Sequence, residues 1–138
     1  MSNCIQLHHH IVVMTKEQID VSALKARIDK VKGLEKAPEW KPSDDGYMIW
    51  WFLADNTEFE TDGSVTIRFG KGRSEHTWRD FRALILTLSK YMKQEVKHAF
   101  LLADACDGFD TVENYTVIFS PDENKCVIDG NGILHPNM

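Results

Sequence analysis

The sequence is short of the features that announce a function most directly. It holds three cysteines, Cys4, Cys106 and Cys126, an odd number without a CxxC spacing, which excludes a complete disulfide framework and a zinc knuckle. Free thiols in a reducing compartment follow. No run reaches the roughly 18 apolar residues of a bilayer span, and Met1-Ser2-Asn3-Cys4 lacks the cationic and apolar regions of a secretory signal. The expected location is the cytoplasm. There is no GxSxG elbow, no Walker A spacing, no internal repeat and no low-complexity tract. Charge of one sign is not in large excess: the formal net charge of −5 weighs against nucleic acid or an anionic membrane as partner and is too small for DNA mimicry.

What is present fits one domain. A chain of 138 residues with 43% apolar and 27% charged residues can bury a core of its own and needs no staple. Ile5 to Val13 alternates, with Ile5, Leu7, His9, Ile11 and Val13 on the apolar side and Gln6, His8, His10 and Val12 on the other, as a half-buried strand does. Thr15 and Gln18 have capping-box spacing, so a helix is predicted over about 16–32 on the stripe Ile19, Leu24, Ile28 and Val31, with Gly33 as a left-handed cap.

Residues 33–46 carry Pro38, Pro42 and Trp40 and read as a loop. Residues 47–54, YMIWWFLA, are apolar at every position. Their length and aromatic content predict a strand covered on both faces. Val65 to Phe69 alternates and completes a hairpin. The clearest helix lies over about 78–93, where Trp78, Phe81, Leu84, Ile85, Leu88, Tyr91 and Met92 share a face. Strands follow at 98–103, 115–119 and 126–128. The order is β-α-β-β-α-β with a C-terminal hairpin: an α+β domain with a mostly antiparallel sheet of five or six strands and two helices, a ferredoxin-like (split βαβ) variant.

Four clusters bear on chemistry. His8 and His10 lie on one strand face, where two imidazoles two residues apart can share a metal. A site needs a third ligand such as Cys4 or His98, and nothing in the sequence brings one near, so no metal or cofactor is expected. The segment from Arg68 to Arg82 holds Lys71, Arg73 and Arg79 in a Gly-containing turn before a helix, an arrangement that can hold an anion, although Glu75 opposes one. Asp104, Asp107, Asp110 and Glu113 surround Gly108 without EF-hand spacing and read as solvated turn acids.

The fourth cluster is an excess of apolar surface. If one side of the 47–54 strand meets the helices, Met48, Trp50 and Phe52 face the other side, joined by Phe100. Large aromatic side chains carry ~150–250 Å² each at ~25 cal/mol/Å², so exposing two or three forfeits on the order of 10 kcal/mol. That approaches the whole stability of a domain.

The expectation is therefore a small non-enzymatic binding or regulatory protein that uses this aromatic face or the Trp40 loop to engage a protein partner or a second copy of itself. A small enzyme or phosphate-ligand domain using the Arg68–Arg82 turn and the histidines is the alternative, and a nucleic-acid module through the same turn is the second.

Overall fold

A computed structural model describes residues 4–7, 10–33, 47–70, 74–104, 112–126 and 128–129. In chain order these form β1 (Cys4–Leu7), β2 (His10–Met14), α1 (Val21–Lys32), α2 (Tyr47–Asn56), β3 (Thr57–Phe59), β4 (Val65–Phe69), β5 (Ser74–Thr77), α3 (Trp78–Ser89), β6 (Val96–Asp104), β7 (Val112–Phe119) and β8 (Ile128–Asp129), with a 3₁₀ turn at Glu123–Lys125. The class is α+β and every strand pairing is antiparallel. The single sheet and two helices expected are corrected to two sheets and three helices among the described residues: β5-β1-β6-β7-β8 and β2-β4-β3. No described helix is long and apolar enough to cross a membrane.

The second correction concerns 47–54, which is helical. Of YMIWWFLA only Ile49 is β-branched, while Met48, Leu53 and Ala54 favour helix, and an all-round apolar sequence suits a helix enclosed by its neighbours. Trp50, Leu53 and Ala54, spaced three and four apart, are buried; Ile49, Trp51 and Phe52 are half-buried. Helix α2 packs on α1, α3 and β4. Arg27 of α1 lies over the Trp50 ring at 4.7 Å and Tyr91 meets its edge at 5.7 Å, so the chain's own elements cover this indole. At the end of α2, Asn56 Nδ2 donates to the Phe52 carbonyl at 2.8 Å, satisfying one of the carbonyls that a helix end leaves without a partner. The sheet face imagined to carry Met48, Trp50 and Phe52 does not exist.

The third correction is the phase of the first strand. β1 pairs with β5 and β6 in the larger sheet, whereas β2, two residues further on, pairs with β4 in the smaller one. On β2 the even positions Val12 and Met14 are buried, and the odd positions Ile11 and Val13 are 43% and 54% exposed. Residues 11–14 are apolar without a break, so alternation there rested on Ile5 and Leu7, which belong to the other sheet. Reversal of phase moves every side chain to the opposite face.

The amphipathic helices follow their stripes. Leu24, Ile28 and Val31 of α1 are buried, as are Phe81, Leu84, Ile85 and Leu88 of α3. The start of α1 moves to Val21. Gln18 Oε1 does accept from the Thr15 N–H at 2.9 Å, but this turn stops at Ile19, which bridges to Met92, and Asp20 caps the helix by accepting from the Ala23 N–H. Gly33 ends it at φ −70, right-handed and not left-handed. Between β3 and β4, Gly63 does take a left-handed φ of 89, and the Asp62 carboxylate accepts from both the N–H and the hydroxyl of Ser64.

These placements predict opposite costs for neighbouring residues of β2. Met14→Ala should lower unfolding stability by about 2 to 5 kcal/mol, and Val13→Thr should change it by no more than about 0.5 kcal/mol, measured by urea denaturation. Equal losses at both positions would refute the phase.

Candidate functional site at the junction of the two sheets

The two sheets part where the chain passes from β1 to β2. The β1–β6 ladder runs Ile5↔Asp104, Gln6↔Ala103 and Leu7↔Leu102. One step further along β6 a side chain serves as acceptor: Leu101 N donates to His10 Nε2 at 2.8 Å, from the first residue of the strand that pairs with β4. A backbone donor withdrawn from water without an acceptor costs up to ~1–3 kcal/mol, and His10 at the first position of β2 supplies an acceptor to this part-buried N–H.

Accepting through Nε2 fixes the chemistry of His10. That nitrogen must carry a lone pair, so the ring is neutral with its proton on Nδ1. His98 of β6 stands against it, with ring centroids 5.4 Å apart and planes at 88°. His98 is half-buried, and its Nε2 is enclosed without a hydrogen-bond partner among the described residues. Burial, and secondarily the neighbouring His10, hold the His98 pKa below the ordinary histidine value of 6.5.

Phe100 forms the floor. It is wholly buried and touches His98 at 4.7 Å, His10 at 5.2 Å, Phe69 at 5.1 Å and Phe81 at 5.4 Å between centroids. Edge-to-face pairs of this kind add ~0.5–1.5 kcal/mol each beyond the area they bury. The aromatic lattice thereby locks both imidazoles in place.

The residues singled out from sequence distribute as follows. Trp40, Lys71, Arg73 and His8 lie outside the described residues, as do Asp107 and Asp110. Met48 is on α2 and Arg79 in the first turn of α3, with side chains outside the described set. Trp50 and Phe100 are core residues, which corrects their assignment to an open partner-binding face; Phe52 is half-buried against Phe69 at 6.0 Å. Arg68 faces Glu58 at 3.5 Å across β4 and β3. The convergence of His10 with His98 was not foreseen. Among the described residues no group of three or more His, Cys, Asp or Glu is arranged to hold a metal. Cys126 is a buried thiol whose pKa is raised, chiefly by burial; its Sγ lies 3.5 Å from the Ser120 carbonyl, and it reads as packing.

Comparison with protein-family models, with curated proteins and with solved structures finds no match.

Replacing His10 tests the junction. His10→Ala, which strands the Leu101 N–H, should cost about 1–3 kcal/mol in chemical denaturation, and His10→Gln, which keeps an acceptor at similar reach, should recover most of it. Stability should also depend on acid in a defined direction. The folded His98 pKa is depressed, so the unfolded chain takes the proton more readily. The His98 contribution is therefore complete above pH 6.5 and is lost as pH falls from 6.5 toward the folded value. The acid limb of a melting-temperature profile should flatten in His98→Phe; an unchanged limb would contradict the assignment.

Proposed function

We propose that the chain is a small non-enzymatic binding or regulatory protein that engages another protein or a second copy of itself. The observation that carries this reading is the outer side of β2. Ile11 and Val13 stand there 43% and 54% exposed, and their cross-strand neighbours are Arg68 and Thr66 of β4. Arg68 is half-buried and Thr66 buried, so the two β-branched side chains of β2 form the small apolar centre of the proposed contact with Arg68 at its edge. The Trp40 segment is the second element of the proposed surface. Around the histidines, the ring nitrogen of His10 is committed to the backbone, which favours a structural role over acid-base catalysis there. The reading places the protein in the cytoplasm, consistent with the unpaired thiol of Cys126.

A topological reading accompanies the functional one. We propose a split βαβ, ferredoxin-like plan: with β1 and β2 taken as one interrupted strand and β4 and β5 as another, an order β3, β4/β5, β1/β2, β6 with β7 and β8 beyond it would follow, and the pairings within the two separate sheets support that reading. On this view α2 is an insertion before the second strand of that plan.

Size-exclusion chromatography with light scattering tests the functional reading. The wild type is expected to run at about twice its 15.9 kDa chain mass or to shift when a partner is added, and Ile11→Thr with Val13→Thr should abolish the association without lowering the melting temperature. A strict monomer stabilised by inorganic phosphate, nucleotides or divalent cations would overturn it in favour of an enzyme or phosphate-ligand domain built on Lys71, Arg73 and Arg79. Salt-sensitive oligonucleotide binding would overturn it in favour of a nucleic-acid module.

A further inference from the structure

We infer that His10 and His98 form a proton-sensitive latch that couples the two sheets near neutral pH and releases them in acid. Three geometric facts meet at this point. The bond of Leu101 N to His10 Nε2 at 2.8 Å, one step beyond the described β1–β6 pairs, requires a deprotonated acceptor. The second imidazole stands 5.4 Å away with an enclosed Nε2 that has no partner among the described residues. The two rings also belong to different sheets, His10 to the three-stranded and His98 to the five-stranded one.

Consider the groups that face the pair. On β2, residues 11–14 are uncharged, and β4 sets Phe69 opposite His10, while Arg68 is opposite Ile11 and turned to Glu58. On β7, Val117 is opposite His98 and Tyr115 is opposite Phe100. On β6 itself, Lys97 is on the alternate face and 3.9 Å from Glu95. Helix α3 brings Phe81 to Phe100, with Asp80, which is exposed, and Arg82 on either side of it in sequence. Among the described residues, the charge of His10 acts on His98 in the same direction as its burial.

The consequence follows from elementary electrostatics. A proton placed on His10 Nε2 meets the Leu101 N–H head-on, and the bond is lost. A proton on His98 adds a half-buried cation beside an aromatic neighbour that is itself basic. Each protonation opposes the other, and both favour separation of β2 from β6, where solvent can reach the rings. Neutral rings restore the bond. The depressed pKa of His98 is in keeping with a pair held neutral by its surroundings.

Amide hydrogen exchange of the full chain, resolved by NMR, tests the latch against its own internal control. The protection factor of Leu101, corrected for intrinsic exchange, is expected to fall by about tenfold or more as the pH is lowered from about 7 through the acid titration of the imidazole ¹⁵N shifts recorded on the same sample, while that of Val117 in the β6–β7 ladder holds. In His10→Gln, whose carboxamide accepts without titrating, Leu101 should lose clearly less protection over the same pH step, the remainder being the part due to His98. Protection at Leu101 that is indifferent to the titration of both rings would overturn the proposal using wild-type protein alone. So would an equal loss in His10→Gln.

Discussion

The backbone donor at Leu101 is the constraint around which the architecture turns. A strand that leaves one sheet for another strands polar groups on the neighbour it deserts, and burial makes that expensive. Here the last described pair of β1 with β6 is Leu7↔Leu102, and the imidazole of His10 accepts from the next residue of β6, Leu101, at 2.8 Å. The bond ties the first residue of β2, which pairs with β4, to the neighbouring sheet. Residues of both sheets and of the helices then share one core.

What fills that core is aromatic. Phe100 from β6 meets Phe69 from β4 and Phe81 from α3, and Phe69 reaches Phe119 of β7 at 6.5 Å and Phe52 of α2 at 6.0 Å. Each sheet and two helices thus contribute a ring to one lattice. This explains why α2 can be so apolar. It is not a surplus exposed to solvent but the third wall of the core, with Trp50 closed over by Arg27 and Tyr91. The large hydrophobic side chains that do stand exposed among the described residues are Ile11 and Val13 of β2.

How far the sequence could be read depended on whether a segment had two distinguishable faces. The stripes of α1 and α3 stand at clear three-four spacing, and β4 alternates with Thr66 and Arg68 against Val65, Ile67 and Phe69, so their types and strand or helix periods were legible. Residues 47–54 and 11–14 have no polar face. Periodicity is silent there, and it was long-range packing that chose helix for the first and inverted the phase of the second. The histidine junction was illegible for a different reason: Leu101 and His10 are 91 positions apart, and their meeting depends on the register of two sheets at once. A histidine at the start of a strand that is followed by an unbroken apolar run is the one local hint.

The most direct measurement is the hydrogen bond itself. A ¹⁵N correlation spectrum of the imidazole rings, combined with detection of scalar coupling across N–H···N, reads both the tautomer of His10 and the identity of its donor. Near neutral pH the expected result is His10 protonated on Nδ1, with coupling between its Nε2 and the Leu101 amide nitrogen. A proton on Nε2 would contradict it, and so would a Leu101 amide that exchanges as freely as one in water.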